Sequence, residues 1–511
     1  MFNLIYKLRN NSIIRSSLGL LIITMVVKLI GYAEKLILAY YYGTSYKVDV
    51  YTLVITLVLS LFILFREIIE PGFLNVFLEA RNNGDEKTAW GLFNKIARII
   101  FFVTLIISVI IILFPDKVIS IFAPGFVGAK FELSVNLIQI AIPACIFLAL
   151  SALTSITLNG LKVFALPASG EIVFKGLIIF CLVIFYKNFG IAGAAIGIVL
   201  GALGRLLVHL IKLFDKISFR HIEIDNTYLH KMWLLTWPLL LGVTFSQVSG
   251  LVDNIFASYL QEGSIAALSY SKKIIELPIL IFPYILSIVV FPYFSQLAIE
   301  KDHIKLESLF TESLRWIVII FIPIAIFFYV YSQPIVEIML QRGAFGKAST
   351  MLTSAPLAIY SIGLVFFAIE TILVVFYYSN ADIKTPIFVG IGCVILNIIL
   401  TWILINSIGY VGIAVAYVIQ KIIKNIILLV LLKRKIKFNL NKIYNFILKF
   451  IVISVILIII ILLSRIFVYN DAFKLKIRIV ILAGTFLVSI FMYITMLHFS
   501  KELKAKYIHK M

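Results

Sequence analysis

The stretch MVVKLIGYAEKLILAYYY (25–42) is apolar enough to cross a membrane, yet it contains three charged residues, Lys28, Glu34 and Lys35. A charge at the centre of a bilayer costs about 2.5–3.5 kcal/mol on insertion scales, so such side chains face a partner or a wet cavity instead of lipid. Lys28 and Lys35 lie two helical turns apart and share one face of a helix. The stretch therefore predicts a membrane helix with one face turned to a polar space inside the protein.

The whole chain has the composition of an integral membrane protein. Of its 511 residues, 62% are hydrophobic and only 14% are charged, and the mean hydropathy is +1.09. Apolar runs of about 20 residues, the length that crosses the hydrocarbon core, recur throughout. We predict an all-α polytopic fold of about 14 transmembrane helices, at 18–41, 48–65, 96–114, 133–157, 166–186, 189–211, 232–259, 268–295, 314–331, 351–379, 385–405, 409–432, 444–464 and 477–498.

The formal charge of +20 follows the membrane topology. With both termini in the cytoplasm, most Lys and Arg residues fall in the cytoplasmic segments, which is the positive-inside bias. The densest patch, LLKRKIKFNLNK (431–442), suits anionic membrane lipid. This distribution argues against a nucleic-acid partner. The basic N-terminus leads into an apolar run with no small-residue cleavage site, so we interpret that run as a retained first helix.

Two halves of the sequence match at one ungapped shift. A shift of 219 residues carries Pro115 onto Pro334 and Phe126 onto Phe345, and it further pairs Pro167 with Pro386, Gly190 with Gly409, Gly193 with Gly412, Gly31 with Gly250, Glu34 with Asp253, and Tyr40 with Tyr259. The predicted fold is a parallel repeat of two six-helix lobes, 1–215 and 216–435, plus two C-terminal helices in 436–511. Such lobes enclose a cleft that can open alternately to either side. Duplication kept only for packing is the alternative.

Further charges fall in and beside predicted helices 2 and 8. Helix 8, ALSYSKKIIELP (267–278), contains Lys272, Lys273 and Glu276, while Asp49 and Arg66 bracket helix 2. Lys272 and Glu276 are spaced to form an i, i+4 pair, and Arg66 is placed to snorkel to the interface. The sequence shows no evident acidic partner for Lys273. We favour a place for it in the cavity wall, as for Lys28.

Cationic side chains in a low-dielectric cleft suit an anionic cargo, in particular phosphate. We expect a cargo that combines this anion with a lipid or sugar portion. Asp253 and Glu370 are candidates for coupling to protons or Na⁺, and Asn397 and Thr401, one turn apart, could give Na⁺ neutral oxygens. Polar pairs also hold membrane helices together, so that signal is weak. No other cofactor is expected, since the sequence has neither a metal-binding cysteine or histidine cluster nor a catalytic motif.

Several short motifs resemble those of one family. LQRGAF (340–345), FAPGF (122–126), LNGLKVFALP (158–167) and DIKTP (382–386) are similar to segments of the MurJ/MviN lipid II flippases of the MOP exporter superfamily. The resemblance covers about residues 18–432. It implies a bacterial cytoplasmic-membrane protein, working as a monomer, that flips the undecaprenyl-diphosphate-linked peptidoglycan precursor by alternating access.

In that family a cationic cavity built from helices 1, 2 and 8 holds the diphosphate, and helices 13 and 14 form a groove for the lipid tail. By resemblance Lys28 and Lys273 stand where the family has arginine, while Asp49 and Glu276 match acidic residues. Glu34, Lys35, Arg66 and Lys272 complete the predicted substrate site. Asp253, Asn397 and Thr401 form the predicted Na⁺ site.

The sequence also departs from the family pattern. The order of Glu34 and Lys35 is reversed, Arg66 lacks a basic neighbour, and Thr401 stands in place of an acid. A flippase for another lipid-linked oligosaccharide, such as an O-antigen or capsule unit, therefore stays open as a function. A multidrug antiporter would need an acid-dominated cavity instead. A membrane glycosyltransferase would need a longer outer loop for its catalytic acids.

Overall fold

The computed structural model describes residues 12–217, 226–435, 440–467 and 473–499. Within these ranges the regular structure is helical, with no strand. The α-helices are α1 Ser12–Tyr42, α2 Tyr46–Asn82, α3 Glu86–Leu113, α4 Pro115–Phe122, α5 Ala129–Ala141, α6 Ala144–Gly160, α7 Ala165–Ile184, α8 Tyr186–Phe189, α9 Ala192–Leu213, α10 Asn226–Ser258, α11 Ser264–Ile299, α12 His303–Val330, α13 Ser332–Leu340, α14 Lys347–Ser379, α15 Lys384–Ile408, α16 Val411–Lys435, α17 Leu440–Phe467 and α18 Leu475–Phe499.

The all-α prediction is confirmed, and each predicted span falls on a long helix or on the bent pair α5 and α6. That pair bends by 44° next to Pro143, which cannot donate a backbone hydrogen bond. In the described ranges nine helices are long and apolar enough to cross a membrane, or ten with the bent pair. The number fourteen stays a prediction for the spans that cross the bilayer.

The internal repeat is visible in the backbone. The helices α3 and α12 both begin after an aspartate whose carboxylate accepts a backbone hydrogen bond, Asp85 from Thr88 at 2.9 Å and Asp302 from Lys305 at 3.0 Å. These hydrogen bonds hold the pKa of both carboxyls below the usual range. The helices α7 and α15 both end near a glycine in the left-handed region, Gly190 at φ +56° and Gly409 at φ +60°. The two halves thus share their helix starts and stops.

The chain divides into two compact units. The first contains Leu18–Ala266 together with Gly343–Phe345, and the second contains mainly Ala267–Arg342 and the described residues from Gly346 onward. These units describe packing in space, whereas the predicted boundaries 1–215, 216–435 and 436–511 describe the repeat and stay predictions.

Aromatic packing forms the core of the first unit. The rings of Phe73 and Phe77 on α2 lie 5.3 Å apart, and Phe93 on α3 lies 6.5 Å from Phe73. All three side chains are buried. Full burial of one such ring contributes about 1.5–3 kcal/mol.

The last two helices attach to the second unit through polar contacts near α13. The hydroxyls of Tyr331 and Ser464 lie 2.9 Å apart, and Arg478 on α18 is 2.5 Å from the carboxylate of Glu337 on α13. Both partners of this ion pair are largely buried. The appended helices are therefore part of the second unit.

Candidate functional site

The FAPGF and QRGAF motifs have equivalent structural roles, both inside the first unit. The backbone N–H of Ala344 donates to the carbonyl of Tyr40 at 2.8 Å, and the N–H of Gly125 donates to the hydroxyl of Ser258 at 3.0 Å. The shift of 219 residues that relates the halves carries Gly125 onto Ala344. Each loop thus contacts the end of the first helix of the other half, α1 or α10.

Glycine is required in the QRGAF loop for two reasons. Gly343 has φ +56°, and a Cβ added there would collide with the carbonyl oxygen of Tyr40. We expect Gly343→Ala to lower the free energy of unfolding by about 2 kcal/mol or more, because backbone strain and the collision combine. Thermal unfolding in detergent measures the change.

The adjacent arginine provides the control for that variant. Arg342 is exposed, and its guanidinium donates to the carbonyl of Ile338 at 2.8 Å. Arg342→Ala should unfold within a few degrees of the wild type. Equal effects of the two substitutions would show that the glycine has no special role.

Glu34 is an internal partner of the first unit. Its carboxylate is 2% exposed, lies 2.7 Å from the Nζ of Lys175 on α7, and accepts a hydrogen bond from the hydroxyl of Tyr51 at 2.9 Å. The sequence did not single out Lys175. Lys28 and Lys35 lie on the same helix and are half-buried. Their predicted contact with cargo stays a prediction.

Asp49 joins α2 to the start of α11. Its carboxylate is fully buried, pairs with Lys130 at 2.9 Å, and accepts backbone hydrogen bonds from Gly263 and Ala266 at 2.8 Å each. A carboxylate at a helix N-terminus satisfies N–H groups that the helix leaves open. This geometry explains an acid at this position through folding alone, and its role in cargo binding stays a prediction.

Arg66 has a weak local partner. Its guanidinium lies 3.6 Å from Glu70, and both side chains are nearly half exposed, so the pair contributes little stability. A buried pair that the sequence did not predict lies deeper in this unit, where Arg205 on α9 is 2.8 Å from Glu171 on α7. The shift of 219 residues carries Arg205 onto Lys424, which was the available signal.

In the second unit the acidic partner in predicted helix 8 differs from expectation. Glu276 lies 3.3 Å from Lys273, at i, i+3, so the interpretation that Lys273 has no local acidic partner is wrong. Residues three apart are also neighbours on a helix. The Nζ of Lys272 lies 4.8 Å from the ring centroid of Tyr417. The helix therefore presents two lysines with different surroundings.

Glu370 joins two lysines of α16. One carboxylate oxygen is 2.7 Å from Lys421 and the other is 2.6 Å from Lys424. Because an ammonium holds each oxygen, Glu370 is a counter-ion in this structure, and a Na⁺ ion there would have to displace a lysine. Two lysines one turn apart in an apolar helix were the signal that the sequence analysis passed over. A cavity of about 460 Å³ lies beside this cluster, lined in part by Lys272 and Tyr360.

The three residues of the predicted Na⁺ site are all buried. Asp253 lies on α10 in the first unit, while Asn397 and Thr401 lie on α15 in the second. The hydroxyl of Thr401 has no hydrogen-bond partner in the described part of the chain, which fits an oxygen that could serve a cation. Among the described residues no group of three or more His, Cys, Asp or Glu is placed to hold a metal. The Na⁺ site stays a prediction.

The repeated order of helices, the two added C-terminal helices and the buried charges define a polytopic membrane transporter. The fold is similar to the inward closed conformation of a lipid II flippase MurJ, with a TM-score of 0.78 and 24% identity over 92% of this chain and 98% of the other. It is also similar to an inward-facing multidrug resistance MATE family transporter of the MOP superfamily, with a TM-score of 0.71 and 14% identity over 82% and 98%. These likenesses establish the fold class.

The family is established by sequence. The family described as "Lipid II flippase MurJ" matches residues 38–484. A "Probable lipid II flippase MurJ" of Buchnera aphidicola subsp. Acyrthosiphon pisum is 27% identical over 414 residues, which are 79% of this chain and 81% of the relative. The chain belongs to the MurJ family.

Proposed function

We propose that this protein flips lipid II, the undecaprenyl-diphosphate-linked precursor of peptidoglycan, across the bacterial cytoplasmic membrane. The observation that carries the proposal is the family match over residues 38–484, which includes both halves of the repeat. The shared fold supports it, because two similar bundles provide a way to expose one cleft to either side in turn.

The diphosphate of the cargo is held by basic side chains. Lys28 and Lys35 from the first half, and Lys272 and Lys273 from the second, supply positive charge in a low-dielectric surrounding. Lysine acts on phosphate as a compact point charge, so it tolerates a head group that turns during transport. The tail of the lipid follows α17 and α18.

The remaining predicted site residues tune this charge. Glu34 and Glu276 each pair with a lysine of their own unit, Asp49 anchors the start of α11, and Arg66 lies on the exposed part of α2. The net surrounding of the head group then stays positive without an uncompensated cluster of lysines.

The protein acts as a transporter and carries out no bond-making step. Coupling to Na⁺ or protons through Asp253, Asn397 and Thr401 supplies the driving force, and the chain works as a monomer with both termini in the cytoplasm. The buried positions of the three residues support the coupling. Export of another lipid-linked oligosaccharide is the alternative function, which the names of the relatives do not favour.

Depletion of the protein in its own bacterium tests the function. We expect cells to lyse, with lipid II accumulating in the inner leaflet, where an externally added enzyme that cleaves the lipid II head group cannot reach it. Re-expression should restore cleavage from outside. Viable cells that lack only a surface polysaccharide would contradict lipid II as cargo and support the alternative.

A further inference from the structure

A second candidate site lies wholly inside the second compact unit. The cavity of about 460 Å³ is walled by α11, α14 and α16 and is lined by Lys272, Tyr360, Glu370 and Lys421, among others. Its volume falls in the range of about 300–1,000 Å³ that is typical of sites for small organic molecules. A single inorganic ion would leave most of this space empty.

The charges around the cavity favour an anion. The lining and its ion-paired neighbours comprise four lysines (Lys272, Lys273, Lys421 and Lys424) and two glutamates (Glu276 and Glu370), an excess of two positive charges. Positive charge in a membrane interior is costly unless an anion offsets it. A negatively charged ligand would lower this cost.

The geometry leaves the lysines able to bind a ligand. Lys421 donates to Glu370 at 2.7 Å, and an ammonium has three N–H donors, so this bond does not exhaust its capacity. Lys272 has its ammonium 4.8 Å from the ring centroid of Tyr417 and 5.9 Å from that of Tyr360, an arrangement that holds the charge in place. Two directed cations thus line one cavity.

The rest of the wall is apolar. Ile275, Ile279, Val374 and Val375 exclude water from their part of the cavity and keep the local dielectric low. A ligand that fits both parts has a phosphate at one end and a less polar body at the other. We propose that this cavity binds an organic phosphate through Lys272 and Lys421, with Glu370 as the residue that positions Lys421.

The phosphate could belong to a lipid-linked diphosphate or to a soluble sugar phosphate. If it belongs to the cargo, the inference rests on the proposed function; if it is soluble, the inference stands apart from it. Lys421 lies outside the residues assigned to cargo binding, so a variant there separates the cavity from the flipping site.

Binding to the purified full-length protein tests the proposal with two probes, farnesyl diphosphate and glucose 1-phosphate, followed by native mass spectrometry. We expect at least one probe to bind, Lys421→Gln to weaken that binding by about tenfold or more, and Lys421→Arg to retain it within a few fold. Binding of farnesyl diphosphate alone indicates a lipid-linked source. Binding of glucose 1-phosphate indicates a soluble one.

Lys305→Gln is the matched control, because Lys305 has a side chain 72% exposed and lies in the same unit. It should bind both probes as the wild type does. Failure of both probes to bind the wild type would overturn the proposal, as would a correctly folded Lys421→Gln variant that binds normally. Either result would leave the proposed function in place, since flipping in cells is measured separately.

Discussion

Lys28→Ala and Lys273→Ala should each reduce flipping of lipid II by about 10- to 100-fold. A hydrogen bond to a charged group contributes about 1.5–3 kcal/mol, and loss of that amount from the loaded state lowers transport by this factor. Complementation of a depleted strain gives the first readout. Cleavage of lipid II from outside intact cells gives the rate.

The size of this effect depends on both lysines facing cargo. Lys273 is 23% exposed and pairs with Glu276 at 3.3 Å, a partly exposed contact that contributes little to folding. The variants should therefore insert and express normally. Lys305→Ala, at an exposed position, is the control that removes a lysine without touching the site. Full complementation by both variants would remove Lys28 and Lys273 from the cargo site.

Asp49→Ala should lower the free energy of unfolding by about 3–5 kcal/mol. The substitution leaves Lys130 without its buried counter-ion and the N–H groups of Gly263 and Ala266 without their acceptor. Removal of one partner from a buried ion pair has this cost because the other charge stays buried. Thermal unfolding in detergent and the amount of protein in the membrane measure it.

Two further variants show whether the effect belongs to folding. Asp49→Asn keeps one oxygen for a backbone N–H but loses the charge, so its stability should be intermediate. Asp215→Ala removes an exposed acid and should be neutral. If Asp49→Ala instead unfolds normally and only transport is lost, Asp49 acts on cargo and the anchoring interpretation fails.

The repeat and the helices could be predicted because they depend on local features. Glycines with positive φ, such as Gly190 and Gly409, and prolines at helix starts stay in register across the shift. The ends of helices were less predictable. The helix α2 continues to Asn82, well past the predicted end at 65, because its polar second half remains helical outside the apolar run.

The partners of the charged residues could not be predicted in the same way. Glu34 pairs with Lys175 on α7, and Glu370 pairs with Lys421 on α16, and both depend on which helices pack together. A single sequence shows a charge in a membrane helix but not the neighbour that balances it. The i, i+3 pair of Lys273 and Glu276 was within reach of sequence, since it needs only helical geometry.

Native mass spectrometry of the protein purified from its own membrane tests the central claim most directly. We predict an adduct with the mass of undecaprenyl-diphosphate-linked disaccharide peptide on the wild type, and its loss in the Lys28→Ala and Lys273→Ala variants while Lys305→Ala retains it. An adduct with a different glycan, or lipid II bound equally to all four proteins, would contradict the account.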